Sequence, residues 1–587
     1  MSVAMEAGLD RAEAIELARK TQRRRRFRLT PGFIAMSTVT VFVGLLVLFP
    51  ISMLLFGSFW TARPGFEGSL TLDHYIKAYS DPSTYRVFGT TLLLMGAKTI
   101  IAVVIAVTMA WIVTRTDTPF RGTLEVLLTV PIFIPGLLEA IGWILLLSPN
   151  TGVLNVFLRN LFGLSESPFN IYSMGGMLWV LSVGSTSFIF LLMVNALRNM
   201  DASLEESSRA SGAGPIRTAV NVTMPLMAPA ILGAGMLSFI RAMETFEVPV
   251  LLGLPAKVFV FSNRIYAAVQ YDYPVNYGLA TSLGVTFVAL TFGLILMQNK
   301  LLGGRSFFVV TGKGYKPQII RLGPWKWVTF AVCLGFFLIS TALPLSQLLI
   351  TSLMPNLAVV NFSEITFKNY LQILSDVVLW RSFINTLMVC GGSAVLAVTL
   401  CSVIAYISTR TNYPGRKVLD TVTWLPWAIP GVVAGLGMLW AYISIPGIKD
   451  LYGSIWLLVL VFLTTGLPLG VRLMSGVMVQ LGRELEESSR VLGGSWARTF
   501  WTIVLPLLKP AFAGAFLLLF IGFSRAVSST ILFTGPGVEL LAVTLFSYSQ
   551  AGRLETVAAL AMVLLLINGT GLLIARRLGA FGRGSTI

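Results

Sequence analysis

Twelve apolar runs, each about the length that crosses a bilayer as a helix, leave this chain few folds to choose from. They fall roughly at 33–57, 88–113, 124–147, 173–197, 229–252, 275–298, 327–352, 383–408, 418–443, 453–476, 509–533 and 555–576. The strand-like alternation of a membrane barrel is missing from them, which argues for helices. Composition points the same way: 55% of residues are hydrophobic, 12% are charged, and the mean hydropathy is +0.80. The expected fold is an all-α membrane protein of about twelve transmembrane helices.

The net charge of +17 sits in short segments between the runs. Arg23, Arg24, Arg25, Arg26 and Arg28 precede the first run; Lys300, Arg305, Lys313, Lys316, Arg321 and Lys326 lie between the sixth and seventh; Arg576, Arg577 and Arg583 follow the last. The positive-inside rule then places both termini in the cytoplasm, as an even number of spans requires. Such basic runs read as topology and lipid-headgroup anchors, so membrane lipids and not nucleic acid are the expected partner. The stretch Ala4–Lys20 is partly amphipathic, and no cleavable signal is expected ahead of the first span. Cys333, Cys390 and Cys401 all fall in apolar runs and read as core residues. With His74 the single histidine, no metal-ligand cluster is expected.

The chain also repeats itself. Ile112-Val113-Thr114-Arg115-Thr116-Asp117 matches Ile407-Ser408-Thr409-Arg410-Thr411-Asn412, and Pro131, Ile134, Pro135 and Gly136 match Pro426, Ile429, Pro430 and Gly431, all at an offset of 295. Leu204-Glu205-Glu206-Ser207-Ser208-Arg209 matches Leu485-Glu486-Glu487-Ser488-Ser489-Arg490 at an offset of 281. The difference of 14 residues places extra chain in the outer loop 148–172. Six spans per copy means two parallel repeats related by a pseudo-two-fold axis along the membrane normal. The expected organisation is a basic tail at 1–30, a first repeat at 31–298, a cytoplasmic linker at 299–326, a second repeat at 327–576 and a tail at 577–587.

The charged segment lies between the fourth and fifth spans of each repeat, in loops 198–228 and 477–508. Each copy places a glycine six residues after its second glutamate (Glu206 and Gly212; Glu487 and Gly493) and an apolar-x-apolar-Pro run thirteen residues further on, ending at Pro225 and Pro506. Gly212 and Gly493 suit a turn that other residues reach only with strain, and the prolines suit the start of the next span. This spacing resembles the Glu-Ala-Ala loop of permease subunits from binding-protein-dependent ABC importers, with serine at both alanine positions. In that family the loop rests in a cleft of a cytoplasmic ATPase. The resemblance implies the type I ABC importer permease fold and assigns ATPase coupling to Glu206, Gly212, Pro225, Glu487, Gly493 and Pro506. Two permease halves fused in one chain, each with the Pro-x-x-Ile-Pro-Gly element, look like the ferric-iron class; relatives of that class handle thiamine, phosphonates, sulfate or polyamines.

Ionisable groups within spans are costly and face protein or water. Here they are Lys98, Glu139, Arg241, Glu244, Glu247 and Arg525. Helical steps of three would keep Arg241, Glu244 and Glu247 on one side, and the repeat aligns Glu244 with Arg525. Three readings stay open: the six neutralise one another as structural pairs or a gate latch, they touch a solute in the pathway, or they turn toward the lipid ends. Pro131, Pro135, Pro426 and Pro430 either line that pathway or only kink a helix. Gly431 and Gly435 have the spacing of a close helix contact.

No phosphate loop occurs in the chain: Lys313 follows Gly312 but precedes Gly314, without the hydroxyl that holds magnesium. The chain is therefore expected to be a permease and not an enzyme, without a cofactor of its own. ATP and magnesium belong to two copies of a partner ATPase, and an extracytoplasmic solute-binding protein docks on outer loops that include 58–87, 148–172 and 353–382. An ion-coupled secondary transporter also has two parallel six-span halves, with Glu139, Glu244 and Glu247 available for a proton or sodium ion. That reading leaves the duplicated loop without a purpose. A membrane-embedded enzyme finds no histidine or nucleophile cluster within the spans.

Overall fold

The computed structural model describes residues 31–201, 203–302, 319–356, 362–482 and 484–577. The basic tail 1–30, the middle of the linker 299–326 and all but the first residue of the tail 577–587 lie outside the described residues.

Among the described residues nine helices are long and apolar enough to cross a membrane unbroken, and counting each of three bent helix pairs as one span gives twelve, in the expected order. The bent pairs are the third span (Arg121–Phe133 with Gly136–Leu147, 99°), the ninth (Arg416–Ala428 with Gly431–Ser444, 115°) and the eleventh (Ala497–Leu507 with Lys509–Ser524, 77°). The first two bends sit at the Pro-x-x-Ile-Pro-Gly elements. Pro135 and Pro430 leave the helical region at ψ 134° and 141°, and each caps the helix that follows. Proline's missing donor ends the first segment there and its fixed φ starts the second.

Three expectations need correction. The fifth span is not 229–252 but Pro215–Met243. It begins inside the loop 198–228, so Pro225 stands within a helix and not at its start. Just before Pro225 the Met224 N–H donates to the Ala219 carbonyl, a wide i→i+5 turn, and Leu505 N–H does the same to Phe500 before Pro506. A proline ring crowds the carbonyl four residues back, and widening the preceding turn relieves it. The fifth span also ends at Met243, with Glu244 as its cap, and Glu247 opens a separate short element. Arg241, Glu244 and Glu247 therefore do not share one continuous helix face. Finally, Gly431 and Gly435 admit no neighbouring helix. A Cβ at Gly431 would collide with the Ser528 side chain, and one at Gly435 would lie 3.0 Å from the Ser529 carbonyl oxygen.

The two halves grip each other through equivalent positions. The first span, Pro31–Gly57, packs on Gly431–Ser444 of the second half, while Leu343–Ser352 of the seventh span packs on Gly136–Leu147 of the first. At the first crossing a Cβ on Gly437 would lie 2.7 Å from the Pro50 carbonyl oxygen; at the second, one on Gly142 would lie 2.9 Å from that of Pro344. Gly142 and Gly437 are repeat equivalents, 295 residues apart. Without an aqueous driving force between helices, such close approach at small residues supplies much of the attraction. Within halves the same logic joins the eighth and tenth spans, where Cys401 fills the space over Gly470. All three cysteines are free and buried, as expected. Val41, Leu45, Leu93, Ile100 and Val104 face outward and form part of an apolar surface suited to lipid. In the loop 148–172 the extra chain forms the helix Val153–Phe162, held by Asn155, whose amide donates to the Leu147, Ser148 and Phe169 carbonyls at 3.0, 3.1 and 2.8 Å.

Candidate functional site: two charged loops and a shared cavity

Each charged loop folds into a short helix, Ser203–Ala210 and Glu484–Val491, with acids in its first turn, where the helix dipole favours them. Consecutive residues on a helix point about 100° apart, so the paired glutamates face differently. Glu205 and Glu486 are buried; Glu206 is half-buried and Glu487 exposed, open to a partner. Gly212 and Gly493 follow at φ +86° and +81°, the left-handed region that other residues enter only with strain.

The inward glutamates meet arginines at the ends of the second and eighth spans. Arg115 Nε lies 3.0 Å from Glu205 Oε2, and Arg410 Nε lies 3.6 Å from Glu486 Oε1. Each guanidinium also caps its neighbouring span: Arg115 donates to the Leu197 carbonyl at 3.0 Å, and Arg410 to those of Met478 and Leu481. A hydroxyl clasp closes each loop onto the span that follows, Ser208 with Thr218 at 3.1 Å and Ser489 with Thr499 at 2.8 Å. Spans two, four and five, and their equivalents, are thus tied to one short helix at a buried joint. Glu206 and Glu487 fit the spacing of the resembled motif and drew attention away from Glu205 and Glu486. The available signal was that Arg115, Arg410, Glu205 and Glu486 all stand inside the repeated strings.

The six charged residues singled out from the sequence line one cavity of about 480 Å³ between the halves. Lys98, Glu139, Arg241, Glu244 and Glu247 come from the first half and Arg525 from the second, together with Pro131 and Pro426 from the two bent spans. Of the four prolines, Pro131 and Pro426 line the space, while Pro135 and Pro430 mark the breaks. Glu244 and Arg525 occupy equivalent places, each capping the helix that follows its charged loop. The reading of these charges as mutual salt bridges fails: among the described residues none of the six forms an ion pair within 4.0 Å. Arg241 instead lies over the Phe188 ring at 4.8 Å, and Lys98 donates to Ser185 and Ser238 at 2.5 and 3.3 Å. A second cavity of about 700 Å³ shares Phe188, Arg241, Glu244 and Trp427 with the first and runs to Gln298 and Thr421, toward the end of the bundle that bears the charged loops.

The sequence pattern described as "Binding-protein-dependent transport system inner membrane component" matches residues 98–302 and again 397–580. A ferric transport system permease protein of Actinobacillus pleuropneumoniae is 27% identical over 488 residues, covering 82% of this chain and 69% of that one. A ferric transport permease of Haemophilus influenzae is 30% identical over 452 residues, covering 76% and 70%. A solved bacterial ABC transporter that imports the acidic polysaccharide alginate shares 18% identity at a TM-score of 0.40, covering 49% of this chain and 98% of that one. Permease subunits of this kind are not catalytic and carry no cofactor. The chain belongs to the inner-membrane permeases of binding-protein-dependent ABC importers, with both family domains in one polypeptide.

Proposed function

We propose that the chain forms the pathway by which an ABC importer brings ferric iron across the cytoplasmic membrane. The observation that carries this reading is the pair of outward glutamates, Glu206 and Glu487, each on a short helix rooted by a buried arginine. Two copies of one cytoplasmic ATPase, one beneath each half, take Glu206 with Gly212 and Glu487 with Gly493 into their clefts. A solute-binding protein delivers cargo from the other side of the membrane, docking on outer loops that include 58–87, 148–172 and 353–382. Both termini then face the cytoplasm. ATP closes the ATPases, the coupling helices approach, and the bundle shifts from a cavity open toward the loop end to one open away from it. Reversing a 99:1 bias takes about 5.5 kcal/mol of differential binding, within reach of two ATP sites.

Ferric iron as cargo rests on the names of the two permease relatives. The same machinery with thiamine, phosphonate, sulfate or polyamine as cargo is the competing reading. Lys98, Glu139, Arg241, Glu244, Glu247 and Arg525 contact the cargo or gate its passage. Reconstitution with partner ATPase and binding protein in proteoliposomes tests the proposal. ATP-driven uptake of labelled iron is expected, with loss of uptake and of transport-linked hydrolysis in Glu206→Ala/Glu487→Ala. Uptake driven by a proton gradient without any ATPase would instead favour a secondary transporter.

A further inference from the structure

The cavity poses a physical problem. A charge in a span is costly unless something answers it, yet six charges of both signs line this space without an ion pair among them. Lys98 is the most enclosed, at 2% exposure. Its ammonium, three donors and no acceptor, reaches only neutral oxygens on the fourth and fifth spans, Ser185 and Ser238. Glu139 approaches the fourth span one residue earlier: a Cβ on Gly184 would collide with its carboxylate, so glycine makes the room. A cationic and an anionic group thus stand over consecutive residues of one helix, both lining the cavity. The second half has nothing of the kind. Ser393, Gly466 and Leu519 stand where Lys98, Ser185 and Ser238 would repeat, and Ala434 where Glu139 would. The arrangement belongs to one half and is not a by-product of the duplication.

We propose that Lys98, with Ser185 and Ser238, is a subsite for an oxyanion, a carboxylate or phosphate carried by the cargo, with Glu139 beside it answering the cationic part. This rests on the reading of the chain as a ferric permease and deepens it: the iron crosses while still bearing an anionic ligand. A bare trivalent cation would meet Lys98, Arg241 and Arg525 as like charges across a narrow space, whereas a complex of both signs answers both sets.

Wild-type complex with its ATPase and binding protein, in proteoliposomes, is given iron-55 with carbon-14 citrate and, in parallel, iron-55 with phosphorus-32 phosphate. At least one anion label is expected to accumulate with iron in a fixed ratio. Lys98→Met is expected to lower both labels about tenfold or more, the scale of one lost hydrogen bond to a charged group, while Lys98→Arg keeps uptake within about threefold. Lys98→Met/Glu139→Gln stays as low as the single variant; recovery in the double variant would make the two an internal pair and overturn the subsite. Iron entering without either anion label also overturns it, whatever the variants do, and leaves the ferric reading intact. If no iron enters but a labelled anion does, dependent on Lys98, the ferric reading fails and the subsite stands. If neither anion enters with or without iron, the subsite falls.

Discussion

The two coupling joints have the same plan and different third partners. In the first half the Thr223 hydroxyl donates to Glu205 at 2.7 Å, from within the fifth span; in the second the Tyr406 hydroxyl donates to Glu486 at 3.0 Å, from the eighth span. The repeat aligns Thr223 with Val504 and Tyr406 with Trp111. Each half thus supplies one hydroxyl to its buried glutamate, and from a different span. A buried carboxylate left short of a donor is expensive, and in each half a hydroxyl meets that need. The first joint is also tied to the incoming linker, where Ile320 N–H donates to the Arg115 carbonyl at 2.9 Å and Asp117 N–H to that of Ile320 at 3.0 Å. Its threonine stands in the span whose far end carries Arg241 and Glu244 into the cavity. The first half therefore has a direct line from coupling helix to cavity charge.

The comparison breaks most severely at the arginines. Arg115→Ala leaves Glu205 buried and uncompensated and is expected to cost about 3–5 kcal/mol, read as thermal unfolding of the purified chain. Arg410→Ala should cost less, because that pair is longer and slightly more exposed. Equal losses would erase the difference claimed. Thr223→Val should cost about 2 kcal/mol, and adding Trp111→Tyr should return about half of it, since the tyrosine supplies the donor that the second half uses. If the double variant is no better than the single, the exchange of hydroxyls is coincidence. Gly212→Ala and Gly493→Ala should each cost about 1–2 kcal/mol from left-handed strain alone, and equally, because neither glycine has a neighbour within 4 Å of a built Cβ. The smallest effect concerns pH. Asp201 accepts the Ser203 N–H at 2.9 Å, which holds its carboxyl below the ordinary 3.8. A group depressed in the folded state stabilises above its unfolded value and loses that contribution as pH falls through the folded one. Hydrogen exchange should therefore show the helix Ser203–Ala210 loosening below pH 3.8; the second half, with Gly482 at the equivalent place, lacks this term.

Spans and repeats were legible because length, apolarity and repetition are local signals. The bends at Pro135 and Pro430 were legible as breaks, but not as turns near a right angle, which packing against the other half decides. The end of the fifth span was hidden, because the sequence stays apolar through Val248, Val250 and Leu251 after the helix has stopped at Met243. Prolines do not explain why only the eleventh span bends at its entry: Pro225 and Pro229 repeat as Pro506 and Pro510. The six cavity residues were visible as charges where charge is costly. That none of them forms an ion pair within 4.0 Å among the described residues depends on how several spans pack, which no local pattern records. The joints were hidden likewise: Arg115 and Glu205 are 90 residues apart, and no local pattern records their meeting.

The central claim is that both coupling helices move together when ATP binds. It is tested most directly by electron–electron double resonance on Ile216→Cys/Ala497→Cys, equivalent exposed positions beside the two helices, labelled in the reconstituted complex; the native cysteines are buried. The distance between the labels should shorten on ATP binding and return after hydrolysis. A distance indifferent to nucleotide, in a complex that still hydrolyses ATP and imports its cargo, would contradict it.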